Sequence, residues 1–337
     1  MLQHIHNVPD MCLQAWQTAQ DLALPSDYTH VDKVIILGMG GSAIGGDLVN
    51  DLVTSEAKVV ITVHRDYDLP AFVDDKTLII ASSYSGMTEE VLHSFEQALL
   101  TDSKKLVITT GGKLKNLADN TGIPLYCFDY KSQPRAALPF SFMPILAFLQ
   151  QLGFVSDKSQ DVLQMIQVLR ELSSGIKETV PLANNPAKQL ARKIHGHLAV
   201  IYGGGILSQV AHRWKTQLNE NSKTWAFYEI IPELNHNAVV GYQFPTELSS
   251  KIAVVLLRSP SLPHRIQVRY KVTCQLLDQA GIDYYSVDSE GSTPLSQIMS
   301  LVLFGDYVSY YLALLNNIDP SPVSAIDYLK EQLRNAK

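Results

Sequence analysis

The chain has 337 residues, 46% of them hydrophobic and 18% charged, a composition and length suited to a globular protein of about two domains, which excludes disorder, collagen and coiled coil. Against 27 Lys and Arg stand 33 Asp and Glu, a formal charge of -6, so no net basic field exists to hold nucleic acid or anionic lipid. Three cysteines, Cys12, Cys127 and Cys274, without a Cys-x-x-Cys pair, suggest neither a disulfide framework nor a metal site and read as reduced core thiols.

Met1-Leu2-Gln3-His4 lacks the basic start and apolar run of a signal peptide, and no apolar run is read as reaching the roughly 20 residues that cross a bilayer. A cytoplasmic protein with a small-molecule partner, no nucleic acid and no membrane, is therefore expected. Short β-branched runs bounded by Gly, Asp or Pro then alternate with helix-length amphipathic segments, the pattern of an α/β fold with parallel sheets. Strands are predicted at Val34–Leu37, Lys58–Val63, Leu78–Ala81, Lys105–Thr109 and Pro124–Cys127, all near-continuous apolar runs of the kind buried on both faces. Helices follow at Phe140–Phe154 and Asp161–Leu172, and the polar patch Ser156-Asp157-Lys158-Ser159 marks a boundary near 155. Beyond it the plan repeats, with strands at Leu198–Tyr202, Trp225–Tyr228, Ile252–Leu257 and Asp283–Val287, and helices at Pro294–Leu315 and Ser324–Leu333. The repeat is visible in residues: Val34 to Ser42 lies on Val200 to Ser208, each a strand entering a glycine-rich turn before a helix. Two related domains, 1–155 and 156–337, are expected.

The first glycine turn, Gly38-Met39-Gly40-Gly41-Ser42, aims backbone N–H groups at an anion at the next helix start, although strand–helix packing alone also uses such turns. A dinucleotide site wants an acidic residue at the end of the second strand, where Asp66 is a poor match. The third strand instead runs into Ser82-Ser83-Tyr84-Ser85-Gly86-Met87-Thr88, placing the hydroxyls of Ser83, Ser85 and Thr88 at a helix N-terminus. Hydroxyls and free N–H groups cradle one phosphate monoester without a P-loop lysine or Mg²⁺; plain helix capping is the competing explanation. The second half leads from its matching strand to Arg258-Ser259-Pro260 and lacks the hydroxyls, so one half alone is expected to bind phosphate. In the second half, Gln217-Leu218-Asn219-Glu220-Asn221 ends a helix with a carboxylate among amides, and Pro232-Glu233-Leu234-Asn235-His236-Asn237 follows after a short strand. Taken singly, a helix-end Glu is usually solvated, and a His between two Asn is more often a loop residue than a catalyst.

The Ser-x-Ser-Gly-x-Thr loop resembles that of the sugar isomerase (SIS) domain family, in which two flavodoxin-like, doubly wound domains form one chain and this loop holds a sugar phosphate. By that resemblance Gly41, Ser42, Ser83, Ser85 and Thr88 bind the phosphate. Together with Lys131-Ser132-Gln133-Pro134-Arg135, Asn219-Glu220-Asn221, Pro232 to Asn237, Asp319-Pro320-Ser321-Pro322-Val323 and Leu329-Lys330, the chain from about Val34 to Lys330 is similar to the bifunctional phosphoglucose/phosphomannose isomerases. The resemblance implies an aldose–ketose isomerase that interconverts glucose 6-phosphate, and mannose 6-phosphate, with fructose 6-phosphate through a cis-enediol(ate). It casts Glu220 as the base between carbons 1 and 2 and Arg135 as the partner of the developing oxyanion. His236 and Lys330 move protons in ring opening. No metal and no cofactor are implied, since a guanidinium stabilises charge without one. The resemblance further implies a homodimer whose sites lie at the interface, the histidine coming from the neighbouring subunit. Met87 departs from the polar residue frequent in the family's loop, and Ser321, Val323 and Ser324 all remain candidates for the small residue linked to epimer tolerance.

The competing function is a non-catalytic sugar-phosphate sensor, which needs the cradle but not Glu220, Arg135, His236 and Lys330 together and often carries a DNA-binding appendage; no helix-turn-helix pattern is read in these residues. An NAD-linked oxidoreductase is a more distant alternative. His195-Gly196-His197 lacks a Glu-x-x-His or Cys companion for metal binding, and Tyr307 to Tyr311 read as packing.

Overall fold

The computed structural model describes residues 1–336 and consists of two parallel sheets wrapped by helices. The first half contains α1 (Leu2–His6), α2 (Val8–Gln20), β1 (Lys33–Leu37), α3 (Gly40–Val53), β2 (Val60–His64), β3 (Thr77–Ser83) and α4 (Glu89–Ala98). It continues through β4 (Lys104–Thr109), α5 (Gly112–Thr121), β5 (Leu125–Cys127) and α6 (Pro139–Gln151). Next come α7 (Ser159–Ile176), α8 (Pro186–Ile194), β6 (Leu198–Gly204), α9 (Ser208–Ser222), β7 (Ala226–Ile231) and β8 (Ile252–Arg258). The chain closes with α10 (His264–Ala280), β9 (Asp283–Asp288), α11 (Pro294–Leu315) and α12 (Ser324–Asn335).

Strand order is β2-β1-β3-β4-β5 in the first sheet and β7-β6-β8-β9 in the second, every pairing parallel. Both orders reverse beside the first strand of their half, and in open α/β sheets the crevice outside the strand C-termini at that reversal is where ligands bind. In the first sheet the register pairs Leu37 with Ala81, so the glycine turn after β1 and the serine loop after β3 emerge side by side.

Successive residues of β1 serve opposite faces, as the strand period demands. Ile35 and Leu37 pack with Val91, Phe95 and Leu114 on the α4/α5 side, while Val34 and Ile36 join a larger core that runs on into the second half through Phe148, Leu169, Trp214 and Leu303. Two-sided burial holds for the inner strands but not for the edge strands β2, β5, β7 and β9. These edge strands have one neighbour each, and Val60 is 63% exposed while Trp225 and Phe227 face outward.

Two further expectations are corrected. The 22-residue α11 is long and apolar enough to match a membrane span, yet 83% of its most apolar window is buried inside the protein, so it is the central core helix. It packs against α7, α8 and α9. Of the cysteines only Cys12 is a buried core thiol; Cys127 is exposed at the end of the short β5 and Cys274 half-buried on α10. Tyr307 and Tyr311 are buried on α11, with Tyr307 hydrogen-bonded to Ser173 and Tyr311 donating to the Ile176 carbonyl.

Candidate active site

The candidate phosphate cradle is built from two loops. Ser42, in the first turn of α3, is buried and its Oγ accepts the Tyr84 N–H at 3.2 Å, tying the glycine turn to the serine loop. Ser83, the buried last residue of β3, shares a 2.8 Å hydrogen bond with the hydroxyl of Thr88, which is the N-cap position of α4. Thr88 makes no side-chain capping bond, so capping is not what engages its hydroxyl. Exposed Ser85 accepts the Met87 N–H at 3.2 Å. Gly86 makes the loop's sharp turn at φ +62°, with no room for a Cβ against the Gly111 carbonyl, and it is the one backbone position in the loop that only glycine fits. Met87 is exposed, its Sδ against the Lys113 N–H.

Gly41 couples the cradle to the rest of the site. A Cβ at Gly41 would lie 3.0 Å from the Pro134 carbonyl oxygen and 3.2 Å from Arg135 Cα, so the loop carrying Arg135 rests directly on the glycine turn. Tyr84 adds a second link, donating to the Tyr130 carbonyl at 2.6 Å and accepting the Ser132 N–H at 2.8 Å.

Arg135 sits in the short 3₁₀ turn Pro134–Ala137 and is only 2% exposed. Its Nε donates to Asn221 Oδ1 at 2.7 Å, and Nη2 donates to the carbonyls of Pro320 and Ser321 at 2.7 and 2.9 Å. Nη1 meets Glu220 Oε2 at 3.5 Å. Three of the five guanidinium hydrogens are thus consumed by fixed acceptors, and the two on Nη1 face the half-buried Glu220. Burial pushes the Arg135 pKa down and the Glu220 carboxylate opposes that fall, which keeps the charge in place.

Glu220 and Asn221 come from the last turn of α9, which stops at Lys223 in the left-handed conformation, φ 53°. The Lys223 ammonium bonds the Glu220 carbonyl at 2.7 Å and the Pro320 carbonyl at 3.2 Å, closing the helix end and tying it to the segment before α12. Arg213, Gln217 and Asn221 recur every fourth residue and line one buried face of this helix against α11. Asn219 instead donates to the Thr224 carbonyl.

Of the residues singled out in the sequence, the structure brings Arg135 to Glu220 and Ser83 to Thr88. His236 lies exposed in the 3₁₀ turn Glu233–His236, and Lys330 lies exposed on α12. Among the described residues neither bonds Arg135 or Glu220 within the chain. Of the three epimer-tolerance candidates, Ser321 is the one that contacts the site, through its carbonyl on Arg135. Tyr84, Arg213, Asp306 and Ser309 were missed. Asp306 had a signal, as the one charged residue between Pro294 and Leu315. His195 and His197 form no group of three potential ligands with other His, Cys, Asp or Glu; the described residues contain no such group.

Residues 183–333 match the family model for the bacterial phospho-glucose isomerase C-terminal SIS domain. Over 338 aligned residues, all of both chains, the sequence is 38% identical to the bifunctional phosphoglucose/phosphomannose isomerase of Caldicellulosiruptor bescii. It is 34% identical to that of Aquifex aeolicus, with 94% of each chain covered. In fold it is similar to the C-terminal domain of glucosamine-fructose-6-phosphate aminotransferase from Francisella tularensis, with a TM-score of 0.73 at 14% identity, covering 96% of this chain and 98% of that one. With full-length relatives at this identity and a two-sheet fold of the SIS type, the chain belongs to the bifunctional phosphoglucose/phosphomannose isomerase family of SIS-domain isomerases.

Proposed function

We propose that this enzyme interconverts glucose 6-phosphate and mannose 6-phosphate with fructose 6-phosphate, in a crevice reaching from the Ser83–Thr88 cradle to Glu220. The observation that carries the reading is the Arg135 Nη1 to Glu220 Oε2 approach of 3.5 Å, a buried cation beside a half-buried carboxylate. That distance is long for a hydrogen bond, so the carboxylate is oriented without being clamped.

The phosphate sits on Gly41, Ser42, Ser83, Ser85 and Thr88, at the N-termini of α3 and α4, where free N–H groups and hydroxyls meet its charge. Glu220 takes the proton from carbon 2 of the open-chain aldose, and the electron pair moves to the carbonyl oxygen on carbon 1. Arg135 Nη1 meets that developing oxyanion and so stabilises the cis-enediol(ate). Glu220 returns the proton to carbon 1, and the hydroxyl proton on oxygen 2 passes to oxygen 1, leaving the ketose with no net gain or loss of protons. His236 and Lys330 act earlier, at the ring oxygen and anomeric hydroxyl. No metal takes part, because the charges are met by N–H groups, hydroxyls and a guanidinium.

The working form in this reading is a cytoplasmic homodimer, its halves dividing near residue 155, with His236 reaching the site of the neighbouring subunit. Support comes from the exposed position of His236 and from the exposed apolar side chains Val240 and Phe244 in the segment that follows it. The test is a coupled assay with glucose 6-phosphate and mannose 6-phosphate in parallel, with and without EDTA. Turnover of both sugars, unchanged by the chelator, is expected. Activity on neither sugar removes the proposal, and activity restored only by added zinc removes its metal-free mechanism.

A further inference from the structure

Under Arg135 lies a second carboxylate that the proposed chemistry does not use. Asp306, in the middle of the apolar helix α11, is buried and accepts from Arg213 Nη2 at 3.1 and 3.3 Å and from Gln217 Nε2 at 2.7 Å. Two chains of hydrogen bonds leave this residue and both end on Arg135. Through its carboxylate, Asp306 holds Arg213, whose Nη2 also donates to the Arg135 main-chain carbonyl at 2.8 Å. Through its own main-chain carbonyl it accepts the Ser309 hydroxyl at 2.8 Å; Ser309 Oγ accepts from Asn221 Nδ2 at 2.9 Å, and Asn221 Oδ1 accepts Arg135 Nε.

We propose that Asp306 is a positioning residue for Arg135: its carboxylate fixes the Arg135 main chain through Arg213, while Ser309 and Asn221 hold the side chain, so that Nη1 is presented toward Glu220. A buried carboxylate here costs desolvation, and burial does push the Asp306 pKa up while Arg213 and Gln217 oppose the rise. Such a group is retained at a loss unless its geometry matters. Geometry does matter at Arg135, because its main chain and Nε have to be held together for the guanidinium plane to keep one orientation. Asp306 also supplies negative charge between two buried guanidiniums that otherwise repel; Arg213 on its own drives the Arg135 pKa down. Asp306 touches neither substrate nor reacting atoms and acts through Arg135.

The inference rests on Arg135 being the oxyanion partner, and the test separates the two claims. Glucose 6-phosphate isomerisation is measured for wild type, Asp306→Asn, Arg135→Lys and the double variant, with melting temperatures recorded alongside. Asp306→Asn is expected to lower kcat about tenfold to a hundredfold, the scale of a misplacement of about 1 Å, with KM held within about threefold. In the Arg135→Lys background the same change is expected to cost no more than about twofold, because the residue it positions is already altered. Losses that multiply in the double variant, or a wild-type kcat in Asp306→Asn, overturn the proposal. A wild-type kcat in Arg135→Lys overturns the role of Arg135 instead. Should Asp306→Asn not fold, Arg213→Lys leaves every charge in place and removes the Nη2 that joins the Asp306 carboxylate to the Arg135 carbonyl. A several-fold fall in kcat, absent in the Arg135→Lys background, then supports the proposal, and an unchanged kcat defeats it.

Discussion

Arg135 and Glu220, 85 positions apart, face each other at 3.5 Å because Asn221, the next residue after Glu220, takes the Arg135 Nε at 2.7 Å. One helix end thus sets both the proposed base and the orientation of the cation opposite it. The carboxylate contributes one weak contact to this arrangement, whereas Asn221 and the Pro320 and Ser321 carbonyls contribute the strong ones.

Glu220→Gln is therefore expected to leave the site's architecture standing. Turnover should fall by about 10² or more, the scale of general-base catalysis, while a sugar phosphate still binds. Steady-state kinetics with calorimetric titration of fructose 6-phosphate decides it, and turnover near wild type places the base elsewhere.

The double variant Ser83→Ala with Ser85→Ala should show mainly a binding defect of roughly 2 to 4 kcal/mol, from hydrogen bonds lost to a charged group. Ser83 contributes more than Ser85 in the single variants, because it is buried and already shares its hydrogen bond with Thr88, whereas Ser85 is exposed and free to be replaced by water. An unchanged Michaelis constant would move the phosphate to another place.

If His236 serves the neighbouring subunit while Glu220 serves its own, a mixed dimer of Glu220→Gln with His236→Asn has one site with both defects and one with neither. Random exchange makes about half of the dimers mixed, so co-expression should return roughly a quarter of wild-type activity. Activity equal to the sum of the parents, with subunit exchange confirmed by mass spectrometry, rules out the shared site.

A pH effect is expected away from the crevice, where α3 meets α9. Asp51 accepts the Gln209 N–H at 2.8 Å, and burial, with Asp47 close by, pushes its pKa up to about 7. In the folded protein it holds a proton that the unfolded chain releases above about pH 4, so this residue lowers stability progressively from pH 4 to 7. On α9, His212 is stacked on Tyr228, and burial, with Arg65 and Lys215 adding to it, brings its pKa down to about 4. The folded protein excludes a proton the unfolded chain accepts below about pH 6.5, so His212 lowers stability as pH falls from 6.5 to 4. Asp51→Asn removes only the first effect. Its melting temperature should match wild type at pH 4 and exceed it at pH 8, by the equivalent of about 2 kcal/mol. A gain of equal size at both pH values would trace the stabilisation to something other than this carboxylate.

The sequence by itself determined the elements and the loops. Val34–Leu37 and Leu78–Ala81 are apolar runs too short for helices, and Lys33–Leu37 and Thr77–Ser83 are strands. The glycine and hydroxyl loops follow these strands as read, because backbone freedom at Gly86 and hydroxyl placement near a helix start are local properties. Arg135 and Glu220 were legible through resemblance, their proximity only through folding. The exposure of Val60 and Trp225 was not legible, since whether a strand lies at an edge depends on which strands flank it. Arg213 and Asp306 show the same limit most sharply. A charge inside a helix reads as solvated or misplaced until its partner is known, and here the partner lies 93 positions away. Only the packing of α9 on α11 removes water from both groups, and a buried charge is tolerable only where an opposite one is brought within hydrogen-bond reach.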